Sequence, residues 1–185
     1  MSKNVLIITG SPRKGGNSDT LAAAFMEGAR EAGNTAEIFS AAANPVLPCR
    51  ACDACWNKGE ACAFDDGFRI LAPMLQKADV IVFATPLYWF SFSSQIKAAI
   101  DKMYSFMSNR CDKKLHIEKA YMIVSAEAEN EQEEFDGIVA SFKLICDYMQ
   151  WTQSDVLIAD GLGAKDAIKA KQYFLEQAKH LGKNV

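Results

Sequence analysis

The sequence predicts a doubly wound α/β fold, a three-layer sandwich around a five-stranded parallel sheet, and three observations carry that prediction. Short strand-like runs alternate with helical stripes along the whole chain. The first run, Val5-Leu6-Ile7-Ile8, is apolar without interruption, as a strand covered on both faces must be. It leads directly through a glycine- and hydroxyl-rich turn into a helical pattern starting at Leu21.

The strands are expected at Asn4–Thr9, Thr35–Phe39, Val80–Ala84, Ala120–Ser125 and Ser154–Ala159. After the first strand, Leu21, Phe25 and Gly28 share one helical face. A shorter helix is expected over Phe68–Lys77. Further on, Ile96, Ile100, Met103 and Met107 form one stripe, and Phe135, Ile138, Phe142, Ile145 and Met149 form the next. The last stripe runs through Ala167, Ala170, Phe174, Ala178 and Leu181. A common five-stranded order for such sheets is 2-1-3-4-5, in which the strand order reverses between strands one and three. Ligands bind at that switch point, and sheets of this order are known to carry FMN there. The loops after strands one and three must therefore flank the site.

The first of these loops is Ser11-Pro12-Arg13-Lys14-Gly15-Gly16-Asn17-Ser18. Free N–H groups and the positive end of the following helix make it a cradle for an anion. Ser11 and Ser18 offer hydroxyls, Arg13 a charged fork, and Gly15 and Gly16 close backbone approach. A Walker-type loop would need Lys where Gly16 stands, and the G-x-G-x-x-G fingerprint fails at Ser11-Pro12. Neutral donors plus one Arg suit a compact terminal phosphate such as that of FMN. The plainer reading is a turn capped by Asn17 or Ser18.

The second loop, Thr85-Pro86-Leu87-Tyr88-Trp89-Phe90, is stiffened by proline and carries three aromatics. The N–H groups of Leu87 to Trp89 are expected to donate to a flavin ring. A third loop, from Ser125 through Asn130, is placed to close over it.

Half of the 185 residues are hydrophobic and the net charge is −3, so one well-packed domain over 1–185 is expected, with no basic stripe for nucleic acid. No apolar run reaches membrane-spanning length, and the N-terminus lacks a signal-peptide layout, so a cytoplasmic protein is expected. In that compartment the cysteines are read as thiols or metal ligands.

Cys49, Cys52, Cys55 and Cys62 fall in a C-x2-C-x2-C-x6-C pattern within a loop insertion at about 45–66. Closely spaced thiolates of this kind favour an iron–sulfur cluster over zinc, which more often pairs two distant C-x2-C hairpins. The alternative is a structural lobe of free thiols. Cys146 lies on an apolar stripe and reads as core, while Cys111 reads as loop or helix end. His116 and His180 belong to no catalytic constellation, so no catalytic side chain is assigned.

The motifs Gly10-Ser11-Pro12-Arg13, Gly16-Asn17-Ser18, Thr85-Pro86-Leu87-Tyr88-Trp89 and Gln95-Ile96-Lys97 with Asp101-Lys102 resemble those of the NADPH-dependent FMN reductase family, which is flavodoxin-like. The cysteine spacing resembles the iron–sulfur flavoprotein branch of that family. The resemblance implies that Ser11, Arg13, Asn17 and Ser18 hold the FMN phosphate, and that Pro86, Leu87, Tyr88 and Trp89 border the ring; Gly16 and Ser125, in the first and third loops, are expected among the cofactor-binding residues as well. It implies an FMN-dependent oxidoreductase carrying electrons from NAD(P)H to a quinone, a flavin or another small acceptor. The rival reading is a carrier between protein partners, with a [4Fe-4S] cluster on the four cysteines. A homodimer or tetramer is expected in either case, because Leu87–Phe92, Trp56 and Phe64 exceed what one flavin covers.

Overall fold

The computed structural model describes residues 2–58, 61–107, 114–129 and 132–185. Five parallel strands form one sheet in the order β2-β1-β3-β4-β5. They are β1 (Asn4–Thr9), β2 (Thr35–Ser40), β3 (Val80–Pro86), β4 (Lys119–Ser125) and β5 (Thr152–Ala159). The helices are α1 (Asn17–Glu31), α2 (Ala54–Lys58), α3 (Phe68–Lys77), α4 (Ser94–Lys102), α5 (Asp136–Met149) and α6 (Gln172–Lys183).

The uninterrupted apolar strands are explained by two cores, one on each face of the sheet. Val5 and Ile7 point with Val80, Val82 and Ile123 towards α1 and α6. Leu6 and Ile8 point with Ile81, Phe83 and Met122 towards α3, α4 and α5. Successive side chains alternate faces, so a strand covered on both sides must be apolar throughout. On the first face, α1 and α6 meet backbone to backbone. A Cβ added at Gly28 would lie 2.0 Å from the Lys179 carbonyl oxygen, which only glycine permits.

All five strands lie where the periodicity puts them, and α3 spans the expected Phe68–Lys77. Two helical expectations change. The α4 stripe continues beyond Lys102 as a 3-10 turn over Met103–Met107. The last stripe is broken: Ala167–Ala170 is a 3-10 turn and α6 starts only at Gln172. Ala167 and Ile168 still pack on the core with Phe174 and Ala178, so the apolar period survives the break in the backbone. The turn before α1 also departs from expectation, since the cap is Gly16, which has no side chain to accept the first-turn N–H groups. Neither Asn17 nor Ser18 caps. No helix among the described residues is long and apolar enough to cross a membrane.

Candidate functional site

Because the order reverses between β1 and β3, the connections leaving their C-terminal ends diverge, and a cleft of about 260 Å³ opens between them. Ser11, Arg13, Asn17 and Ser18 line it from the first loop, Pro86, Leu87 and Tyr88 from the second. A larger groove of about 720 Å³ runs along β5 and α6. The strand ends and the cations, not size, single out the first.

The loop after β1 is held by its own bonds. The Arg13 N–H donates to Ser11 Oγ at 3.2 Å, and the Gly15 N–H to Asp19 Oδ2 at 2.9 Å. Gly15 has φ +65°, a left-handed conformation that glycine takes at no steric cost. A Cβ at Gly16 would sit 2.8 Å from the Arg13 carbonyl oxygen. The two glycines thus serve the tightness of the turn itself. Gly16 does not line the cleft.

Asn17 and Ser18 act across the sheet edge. Asn17 Nδ2 donates to the carbonyls of Leu162 (2.9 Å) and Ala164 (2.8 Å), and its Oδ1 accepts from the Ile168 N–H at 3.2 Å. The side chain is thereby committed to the connection after β5, so what Asn17 keeps for a ligand is the N–H of a first helical turn. Ser18 Oγ lies 2.8 Å from Ser125 Oγ, a buried pair that joins α1 to the end of β4. Arg13 Nη1 donates to the Gly163 carbonyl at 3.2 Å and lies at the surface.

The expected third loop supplies Ala126 and Glu127 to the cleft. Sequence reasoning missed the wall after β5, where Leu162, Gly163 and Lys165 also line it. The switch-point rule names only the loops after β1 and β3. The signal was nevertheless present in Gly161-Leu162-Gly163-Ala164-Lys165, which puts two glycines and a cation just beyond a strand end. The two connections are stitched together, Gly161 N–H to Ala128 O and Leu162 N–H to Ala126 O, both at 2.7 Å. The cleft therefore carries two cations, Arg13 and Lys165, and one carboxylate, Glu127. Asn130, expected in the same closing loop, lies outside the described residues.

The aromatic loop is divided by its backbone. Tyr88 and Ser91 exchange N–H···O bonds of 3.1 Å across Trp89 and Phe90, whose φ angles are +47° and +59°. This is a two-residue reversal with both corners left-handed, a conformation usually reserved for Asn-Gly. It costs about 1–3 kcal/mol at each non-glycine corner. Tyr88 stays in the cleft while Trp89 stands 92% exposed outside it. The expected donors also change. Leu87 N–H bonds Ser125 O at 2.8 Å and Tyr88 N–H bonds Ser91 O, so neither is left for a ring. Trp89, at the first corner, contributes its N–H to neither bond.

Cys49, Cys52, Cys55 and Cys62 all line a second, small pocket, together with Lys102, Tyr104 and Ser105 from α4 and the turn after it. Ala51 and Asp53 are left-handed (φ +48° and +53°). Left-handed residues interspersed in this way build the backbone nests that hold anions and iron–sulfur groups. Ser105 Oγ is buried and, among the described residues, has no hydrogen-bond partner. Such an orphan costs about 1–3 kcal/mol. Burial, with Cys62 and Cys49 nearby, pushes the Cys55 thiol up.

The pocket has room for about 30 Å³, the share of one water, and no three His, Cys, Asp or Glu side chains among the described residues converge on a single-ion site. The expected metal ligands thus surround one space without closing on it. Cys49 and Cys52 are exposed, on residues 46–53 that form no helix or strand. Cys146 is fully buried, as its stripe implies, and burial pushes its thiol up to about 11. Cys111 falls outside the described residues.

A strand-order reversal with a glycine- and hydroxyl-rich loop on one side and a proline-stiffened loop on the other is the arrangement of a flavodoxin-like α/β protein. The family model described as a flavodoxin-like fold matches residues 3–182, and the chain belongs to that family. An iron-sulfur flavoprotein of Methanosarcina thermophila is 35% identical over 95 residues, 51% of this chain and 49% of that protein. The chain spans about half the length of the relatives of this kind that it matches. A Bacillus subtilis protein named for an NAD(P)H-dependent, FMN-containing oxidoreductase is 22% identical over 91% of both chains. Among solved structures, an NAD(P)H:quinone oxidoreductase from Methanothermobacter marburgensis superposes with a TM-score of 0.77 at 23% identity, covering 100% of this chain and 97% of that one. That likeness speaks for the fold.

Proposed function

We propose that the cleft binds FMN and that the protein is an FMN-dependent oxidoreductase, taking electrons from NAD(P)H and passing them to a quinone or another small acceptor. The observation that carries this reading is the convergence of Arg13, Lys165 and the N-terminus of α1 on the same cleft as Pro86–Tyr88. The donor set suits FMN, with two cations and first-turn N–H groups for a phosphate and an apolar proline-stiffened wall for a ring. When bound, FMN supplies hydride acceptance and electron transfer. The chain's own part is to anchor and orient it. Arg13 and Lys165 offset the phosphate charge, the Ser18–Ser125 pair fixes α1 against the end of β4, and Asn17 fixes the wall after β5. Among the described residues Glu127 is the one carboxylate in the lining, and it disfavours negative charge beside it. The Bacillus subtilis relative, similar over most of both chains, supports the activity.

A second reading is favoured by the four cysteines around one pocket with an orphaned hydroxyl. In it the lobe holds an iron–sulfur cluster and the protein carries electrons between partners, as the name of the Methanosarcina relative suggests for that protein. The donor set suits a cluster; the space does not as it stands, so the irregular segment 46–53 must spread outward. Absorbance of anaerobically purified, iron- and sulfide-reconstituted protein, with NAD(P)H oxidation followed against menadione, tests both readings. Flavin bands and turnover are expected. Absence of flavin binding refutes the first reading, and absence of iron and sulfide refutes the second.

A further inference from the structure

We propose that Ser105 is a positioning residue of the cysteine pocket, its hydroxyl donating to a thiolate or inorganic sulfur of an iron–sulfur cluster held by Cys49, Cys52, Cys55 and Cys62. This rests on the second reading above. Ser105 is 2% exposed, lines the same pocket as the four thiols, and has no hydrogen-bond partner among the described residues. A serine hydroxyl inside a helical turn ordinarily bonds back to a carbonyl one turn earlier. Here it does not, and a buried donor without a partner implies one that the protein alone does not supply.

The wall that bears Ser105 is fixed. It sits in the 3-10 turn Met103–Met107, directly after Lys102, which is buried against Asp66 and lies 5.8 Å from the Phe68 ring centre. The neighbouring Tyr104 stacks on Trp56 of the lobe at 4.8 Å between ring centres and accepts the indole N–H at its carbonyl at 3.1 Å. Cys49 and Cys52 come from the irregular segment 46–53, Cys55 from α2 and Cys62 from the chain after it. Spreading of segment 46–53 to admit a larger group would leave the Ser105 hydroxyl in the wall of the pocket.

A hydrogen bond to sulfur stabilises the more negatively charged state more strongly. One-electron reduction adds a negative charge, so losing the bond must lower the reduction potential. The test compares wild type, Ser105→Ala and Ser105→Thr, each reconstituted anaerobically with ferrous iron and sulfide. Iron and sulfide are counted per chain, and midpoint potentials are read by electron paramagnetic resonance titration. Ser105→Ala is expected to keep its iron and to shift its midpoint downward, with about a tenfold lower reduced-to-oxidised ratio at the wild-type midpoint, equivalent to about 59 mV for one electron. Ser105→Thr, which keeps the hydroxyl, should return towards wild type. An unchanged midpoint in Ser105→Ala overturns the proposal and makes the hydroxyl the partner of a buried water only. Loss of iron in both variants also overturns it, since the residue would then matter for packing. Wild type that holds neither iron nor sulfide refutes the underlying reading instead.

Discussion

Lys102→Met should loosen the cysteine lobe before it affects the cleft. Lys102 and Asp66 are a buried pair, their side chains 2% and 4% exposed. Asp66 also accepts the N–H groups of Leu47 and Phe68, both at 2.9 Å, so one carboxylate ties α4 to both ends of the lobe. Removing one partner of a buried pair typically costs about 3–5 kcal/mol, and the two remaining N–H donors place this case near about 3 kcal/mol. For a domain of this size that is a fall in Tm of about 6–12 °C. The pH dependence has a definite sign. Burial alone would raise the Asp66 pKa, but the Lys102 hydrogen bond and the Phe68 and Leu47 N–H groups outweigh it and hold it below the usual carboxylate value. In wild type the stabilisation is therefore complete above the unfolded pKa of about 3.9 and is lost as pH falls through the lower folded value. In the variant burial acts with less opposition, so protonation relieves the unpaired charge and the deficit shrinks as pH falls from 7 towards 4. Asp66→Asn with Lys102→Met should recover much of the loss. Urea unfolding across pH, with hydrogen exchange at residues 47–68, measures all of this. A deficit below about 1 kcal/mol at pH 7, or one that does not change with pH, refutes the reasoning.

Arg13→Ala should weaken FMN more than riboflavin in fluorescence titrations, since only FMN carries the charge that Arg13 is proposed to offset; equal losses would remove Arg13 from phosphate binding. Asn17→Ala should lower stability by about 2 kcal/mol and weaken both flavins together, because its side chain holds the 162–168 segment in place. Replacing Trp89-Phe90 by Asn-Gly should relieve left-handed strain and raise stability by about 1–3 kcal/mol. The same change should abolish the self-association proposed for this exposed aromatic face, read by light scattering; an unchanged oligomer would place the interface elsewhere. In the metal-free native protein, Ellman's reagent should reach Cys49 and Cys52 rapidly and Cys146 only on unfolding, because burial keeps that thiol protonated.

The sheet was legible in the sequence because its central strands β1, β3 and β4 are covered on both faces. Val5-Leu6-Ile7-Ile8 has no other use for four consecutive apolar side chains, and the helical stripes leave only a few ways to cover them. The position of the cleft followed from strand order alone, and Ser11, Arg13, Asn17, Ser18, Pro86, Leu87, Tyr88 and Ser125 do line it. What those residues do there was decided in three dimensions. Asn17 looked like a phosphate ligand, yet its side chain bonds a segment about 150 positions away. Trp89 looked like Tyr88, until two left-handed residues turned it out of the cleft. Lys165 reached the site through the packing of the β5 connection, and Ser105 became notable only because folding buried its hydroxyl in the wall of the pocket that four cysteines line, without a partner among the described residues. Periodicity records which face of an element is covered, a local property of the chain. Which polar atoms are already satisfied depends on contacts between distant segments, and only the assembled fold contains that information.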